Sequence, residues 1–372
     1  MNKRFPELDG LRGAAILMVM LQHYVAESTN AGRGTLSFAL SRFSRLGWTG
    51  VDLFFVLSGF LIGGILLDAR KSPNYFKTFY MRRAHRILPV YYLWLALYAV
   101  AAYVGLKWVT PQDSGFFAFS VPIAVYILFF QNFIFKPISL FGTYVVGPTW
   151  SLAVEEQFYL ISPWLIRYLS PRYLVNALIL FIITAPVLRG MLFNIQYGHR
   201  AVYFLTPCRI DGLAMGMLVA IAWRTRARAW IAKNIDYFKA ALLFFLIGTA
   251  AMLRRHPDPT TPFQAMYQYS WIACLFSLVV VVALLAPSSL VARFSRSEFL
   301  RNWGRISYCV YLIHLAILAA CHLFVLRSLP RITDWPGVIT TILAAVLTWL
   351  LAQISWHYLE KPLLDQGHSF KY

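Results

Sequence analysis

LDGLRGAAILMVMLQHYV, residues 8–25, decides the fold. The stretch is mostly apolar, yet Arg12 and His23 sit in it eleven residues apart. At 3.6 residues per turn that is about three turns, so one helix projects both side chains from one face. The rise between them is roughly 16 Å at 1.5 Å per residue, about half the hydrocarbon thickness of a bilayer. Ionisable groups are costly at that depth, which makes the pair a candidate site. The plainer alternative is a snorkelling Arg12 and a packed His23 bonded to a neighbouring helix.

The composition agrees with a membrane setting. The chain has 372 residues, 59% of them hydrophobic and only 13% charged, with a mean hydropathy of +0.60. Soluble domains carry about 25% charged residues, so this is an integral membrane protein. Arg12 interrupts the first apolar stretch and no small-residue cleavage site follows it, so it reads as a retained helix and not a signal peptide. The net charge of +19 lies in short loops between apolar runs. That is a positive-inside pattern, suited to anionic lipids or an anionic cytoplasmic cofactor rather than nucleic acid. Cys208, Cys274, Cys309 and Cys321 show neither CxxC nor Cys/His ligand spacing, so no metal site and no disulfide framework is expected.

Eleven apolar segments begin near Leu11, Gly47, Ile87, Phe119, Thr149, Tyr173, Pro207, Phe238, Gln268, Ile306 and Pro336. The most basic short stretches are Lys71 to Arg86, Arg224 to Lys239 and Arg293 to Arg305, and the positive-inside bias puts all three in the cytoplasm. Five apolar segments lie between Arg86 and Arg224. Two cytoplasmic loops need an even number of crossings between them, so one segment does not span. Phe119 to Phe135 is short, carries Gln131 and Asn132, and has Pro122 and Pro137 at its edges. It is therefore expected to be re-entrant, interfacial or buried in protein. The expected fold is all-α, about ten transmembrane helices plus this non-spanning segment. Both termini are cytoplasmic and residues 1–372 form a single domain.

This topology sorts the polar groups into two layers. His23, Asp52, Glu155, Glu156, Arg209 and Asp211 fall in the outer half of the membrane. Only one of Glu155 and Glu156 need face inward, because consecutive helical residues point about 100° apart. A carboxylate beside an imidazole fixes its tautomer and raises its basicity, which suits a general base. The plainer alternatives are a helix-capping role for Asp52, structural pairing of the glutamates with Arg209 or Arg189, and a local Arg209–Asp211 pair. The cytoplasmic layer holds YMRRAHRILP, residues 80–89. Arg83 and Arg86 share a helix face, and two guanidiniums suit phosphate; ordinary positive-inside charge is the alternative. Ser307, Tyr311 and His314 recur at helical spacing, and His314 reads as a structural or supporting residue.

These same residues carry a resemblance to the acyltransferase family 3 membrane proteins. ELDGLRGAAILMVMLQH, GVDLFFVLSGFLI, FYMRRAHRILPVYYLW, PTWSLAVEEQFYLISP, ISYCVYLIHLAIL and HYLEKPL stand in the family's order and cover almost the whole chain. The resemblance implies a ten-helix enzyme moving acyl groups, usually acetyl, from cytoplasmic acyl-CoA to acceptors. These are mostly sugar hydroxyls of surface glycans at the outer face, and sometimes small molecules. It makes His23 essential with Arg12 as its motif partner, and makes Arg83 and Arg86 donor-binding residues. It also implies a bacterial inner-membrane location. Many relatives carry a soluble C-terminal esterase-like domain, which is not expected here. The reading that follows places acetyl-CoA phosphates on Arg83, Arg86 and Arg12. His23 is then general base or acyl carrier, with Glu155 or Glu156 orienting it; Asp52 belongs to the same catalytic set. The rival class is a proton-coupled transporter or flippase of a glycan precursor, which predicts internal repeats that are not seen. A non-catalytic scaffold is a third.

Overall fold

The computed structural model describes residues 5–29, 43–105, 122–134, 144–255 and 259–372. Among them the chain is helical, and the sole β feature is an isolated bridge between Thr29 and Ile332. The helices are α1 (Pro6–Leu21), α2 (Gly50–Ala69), α3 (Tyr75–Gly105), α4 (Ile123–Ile127), α5 (Thr149–Tyr168), α6 (Pro171–Leu192), α7 (Gly198–Phe204), α8 (Thr206–Trp223) and α9 (Ala227–Lys233). There follow α10 (Ile235–Arg255), α11 (Pro262–Leu285), α12 (Leu290–Ser295), α13 (Glu298–Leu326), α14 (Trp335–Ser355) and α15 (Lys361–His368). Proline opens several of them, at Pro171, Pro207, Pro262 and Pro336, where the missing N–H costs no hydrogen bond. Thr261 and Asp334 cap α11 and α14 by accepting from Gln264 N (3.2 Å) and Gly337 N (2.9 Å).

The protein is thus an all-α polytopic membrane protein. Among the described residues eight helical stretches are long and apolar enough to cross a bilayer, against the ten expected. The two that fall short are α1 and α5. Helix α1 is 16 residues long before its geometry changes, and α5 carries Glu155, Glu156, Gln157 and Arg167 in 20 residues. The expected non-spanning segment extends beyond the described residues at both ends. Its described part, 122–134, forms the five-residue α4 and one 3-10 turn at Gln131–Phe133. At 1.5 Å per residue these cannot cross about 30 Å of hydrocarbon.

The helices pack as two compact units, each with its own core. The first comprises Met1–Ala15, Thr49–Tyr75 and Ser151–Gly304. In it α8 packs along α2 and α6, and α11 packs on α6, α8, α2 and α10. Small residues let backbones meet. A Cβ at Gly59 would overlap the Leu213 carbonyl oxygen, and one at Gly216 would overlap that of Val56. The glycines of the ELDGLRG stretch, and Gly304 facing that stretch from α13, serve the same end. A side chain at Gly10 would strike the Ser295 carbonyl, one at Gly13 that of Leu300, and one at Gly304 that of Asp9. Close approach of this kind drives helix association where lipid removes the hydrophobic incentive.

The second unit comprises Ile16–Trp48, Phe76–Trp150 and Arg305–Tyr372. Its helices are joined by buried polar side chains. Tyr24 Oη donates to His314 O (2.9 Å) and lies 2.9 Å from Thr348 Oγ1, tying the first helical segment to α13 and α14. Tyr308 Oη donates to Ile87 O and Tyr311 Oη to Pro148 O, each at 2.8 Å. Tyr91 Oη donates to Tyr126 O (2.9 Å), and Gln131 Nε2 to Thr149 O (3.0 Å). The segment around α4 is therefore buried against protein at its polar residues, as irregular backbone in a membrane must be.

Candidate functional site

His23 lies on a π turn. Helix α1 continues without a break into Gln22–Ala26, where Glu27 N–H reaches back five residues to Gln22 O at 3.0 Å. Such turns are rare and recur at functional sites. Ser28 Oγ donates to His23 O (3.0 Å), which satisfies a carbonyl on the widened turn.

The His23 ring is mostly buried and meets a second histidine. His314 Nε2 lies 3.0 Å from His23 Nδ1, with ring centroids 5.0 Å apart. The protonation pattern of the neutral pair follows from the partners. His314 Nδ1 faces two carbonyl oxygens, Val310 O at 3.1 Å and Tyr311 O at 2.9 Å. Carbonyls only accept, so that nitrogen carries the proton. His314 Nε2 is then a bare acceptor, and His23 Nδ1 must be the donor. This leaves His23 Nε2 with its lone pair, the state a general base requires. Glu27 Oε1 stands 3.8 Å from that nitrogen, one turn on, and is held by Gln22 Nε2 at 3.2 Å. A carboxylate there favours the imidazolium that proton uptake creates.

The donor-binding candidates of this unit start α3. Arg82 is committed to the C-terminal segment. Its Nε and Nη2 donate to Phe370 O at 2.9 and 2.6 Å, and its guanidinium lies 5.0 Å over the Tyr372 ring. Burial pushes the Tyr372 phenol up, while the positive charges of Arg83 and Arg82 pull against that shift. Arg83 and Arg86 follow at i, i+3 spacing on the helix. Arg86 forms no ion pair among the described residues.

The other predicted residues belong to the first unit. Arg12 lines a cavity of about 190 Å³ with Asp9, Phe60, Gly64, Asp68 and Arg224. Arg224 is spent on Asp68, donating from Nε (2.6 Å) and Nη2 (2.8 Å). Gly64 allows this, since a Cβ there would sit 2.8 Å from Arg224 Nη2. Glu155 Oε2 accepts from Tyr159 Oη (2.9 Å), and the same hydroxyl touches Ser58 Oγ. Glu156 is half-buried beside it.

Asp52 is buried and bound by Arg209 Nη2 at 2.7 Å. It therefore takes an arginine 157 positions away and leaves the N-terminus of α2 without a side-chain cap. The expected local Arg209–Asp211 pair does not form as such. Asp211 pairs with Arg189 Nη2 at 3.0 Å, and Ser270 Oγ bridges the two at 2.6 Å from each. The reason is geometric: residues two apart on a helix point to nearly opposite sides. Arg209 instead lies over Tyr269 at 4.3 Å and Tyr203 at 5.2 Å.

Glu27 escaped the sequence reading because it stands at the end of the first apolar run, where charge is ordinary. The i, i+4 spacing from His23 was the available signal.

The fold and site together define a polytopic helical membrane protein with two histidines in hydrogen-bond contact and a carboxylate beside one of them. The chain belongs to acyltransferase family 3, whose acyltransferase domain pattern matches residues 5–357. It is 28% identical over 383 residues to YrhL of Bacillus subtilis, provisionally named a peptidoglycan O-acetyltransferase, covering 98% of this chain and 56% of that protein. It is 26% identical over 391 residues to the O-acetyltransferase OatA of Staphylococcus aureus, covering 97% of this chain and 57% of OatA. The chain thus spans a little over half the length of these relatives. No solved structure matches it.

Proposed function

We propose that this protein is a bacterial inner-membrane O-acyltransferase that moves an acetyl group from acetyl-CoA to a carbohydrate hydroxyl at the outer side of the membrane. The observation that carries the reading is the His23–His314 pair, which leaves His23 Nε2 as the basic nitrogen. His23 Nε2 takes the acceptor's hydroxyl proton as that oxygen attacks the thioester carbonyl. The new C–O bond forms, the C–S bond breaks, and the CoA thiolate takes its proton from the His23 imidazolium. Glu27 steadies the imidazolium in between, from 3.8 Å. Arg83 and Arg86 hold donor phosphates, with Arg12 as a further donor contact. Glu155 or Glu156 contributes to orientation, and Asp52 acts through its pair with Arg209. The name of YrhL supports a peptidoglycan-type glycan as acceptor, and that of OatA supports O-acetyl transfer. Residues 1–372 act as one domain in this reading.

The test is CoA release by the purified full chain in nanodiscs, supplied with acetyl-CoA and a panel of glycan acceptors. Turnover is expected only with both substrates. The Arg83→Ala/Arg86→Ala variant is expected to raise KM for acetyl-CoA by about 10²–10⁴-fold, since each of the two charge-assisted bonds contributes on the order of 1.5–3 kcal/mol. No turnover with any acceptor, together with glycan-precursor transport that consumes no acetyl-CoA, would transfer the protein to the transporter class.

His314 is a positioning residue here, and its substitutions separate that role from packing. His314→Ala is expected to lower kcat by roughly 10²-fold or more, because a histidine held in the wrong tautomer loses up to about 10⁴. His314→Gln, whose amide oxygen can accept from His23 Nδ1, is expected to recover much of it. Equal losses in both variants would mean the imidazole only fills space.

A further inference from the structure

A second feature lies outside the histidine site. In the first unit an apolar groove of about 480 Å³ runs along α8, α10 and α11, lined by Met215, Trp223, Phe238, Phe245 and Leu278 among others. Its lining on α11 extends from Cys274 to Leu285, about 16 Å at 1.5 Å per residue. All three helices belong to stretches that can cross a bilayer, and only 6% of the apolar window of α10 is buried within the protein. The α10 wall therefore presents most of its surface to the hydrocarbon of a bilayer.

One end differs from the rest. Trp223, Phe238 and Leu285 mark it, and there Arg228 of α9 joins the lining. The Arg228 guanidinium sits 4.0 Å over the Trp223 ring. It has no carboxylate partner among the described residues. The nearby Arg224 is spent on Asp68 and Asp236 on Lys239, so Arg226, Arg228 and Lys233 leave this end with excess positive charge. A long apolar channel that ends at a guanidinium with unused donors complements an acyl chain that ends at a phosphate.

We propose that this groove binds an anionic phospholipid, with one acyl chain between α8, α10 and α11 and the headgroup phosphate on Arg228. The neighbouring Arg226 and Lys233 favour a headgroup of net negative charge over a zwitterionic one. The site stands apart from the acyl-transfer reading and is tested without any turnover.

The experiment is native mass spectrometry of the full chain in detergent, titrated separately with dioleoyl phosphatidylglycerol and dioleoyl phosphatidylcholine. The wild type is expected to retain one phosphatidylglycerol with at least tenfold preference. Arg228→Gln should weaken that binding about tenfold and abolish the preference, while Arg228→Lys should keep most of it. Ser277→Trp, which places an indole in the groove, should reduce binding of both lipids without changing the thermal midpoint of the lipid-free protein. Equal binding of the two lipids by the wild type would overturn the proposal, as would undiminished phosphatidylglycerol binding by Arg228→Gln.

Discussion

On the proposed function, His23→Ala is expected to abolish acyl transfer while the protein still inserts, folds and binds acetyl-CoA. General-base catalysis contributes about 10²–10⁴ in rate, or roughly 3–5 kcal/mol of transition-state stabilisation, so turnover falls by that factor or below detection. The fold tolerates the change because His23 is only part of the buried network. Tyr24 keeps its bonds to His314 O and Thr348, and these hold α13 and α14 to the first helical segment. Measured side by side, wild type and variant should share a thermal midpoint and an acetyl-CoA affinity and differ in CoA release. A variant that retains more than a tenth of wild-type turnover would exclude His23 as the base. Incubation of wild type with labelled acetyl-CoA and no acceptor addresses the acyl-carrier alternative: label retained on the protein and lost in His23→Ala would identify His23 as nucleophile.

The second large effect concerns stability. Arg189 is fully buried and held by Asp211, Ser270 and the carbonyls of Ala265, Cys208 and Met266. Asp211→Ala removes the carboxylate paired with this charge and leaves the buried guanidinium to carbonyls and the Ser270 hydroxyl. Breaking a buried pair in this way costs about 3–5 kcal/mol. The remaining carbonyls and Ser270 still accept from Arg189, which places the expectation near the lower end. Asp211→Asn, which keeps a hydrogen-bonding oxygen but not the charge, should lose less. The measure is the detergent-solubilised thermal midpoint of the purified variants. An unchanged midpoint in Asp211→Ala would show that the carbonyl cage alone holds the guanidinium.

The membrane-spanning character was legible because apolar runs and basic loops are properties of composition, and because prolines mark helix starts at Pro171, Pro207, Pro262 and Pro336. Arg12, His23 and the Arg83–Arg86 pair stood out because charge inside apolar sequence is costly. Partnerships between distant segments were not legible. Asp52 and Arg209 meet across 157 positions, and nothing local distinguishes that pairing from the sequence-adjacent Asp211. His314 was recognisable as a supporting residue from its helical spacing, but its partner was not. Only the contacts of its Nδ1 to the Val310 and Tyr311 carbonyls identify which of its ring nitrogens carries the proton, and so which state its Nε2 presents to His23. The small-residue contacts at Gly10, Gly13 and Gly304 were hidden for the same reason, since their meaning lies in the backbone opposite.

The π turn at Gln22–Ala26 has a consequence for how such a chain can vary. A π turn amounts to a single extra residue absorbed into an α-helix without breaking it. It acts as a phase shifter: everything before it keeps one azimuth around the helix axis and everything after it is rotated. Counting in steps of 3.6 from Arg12 holds only to Leu21 and then drifts. A length change of one residue ahead of the turn and a length change of one within it are therefore different events. The first carries Arg12 and its neighbours around the axis together. The second turns His23 and Glu27 relative to all that precedes them, which makes these five residues the place where chain length and ring orientation are the same variable.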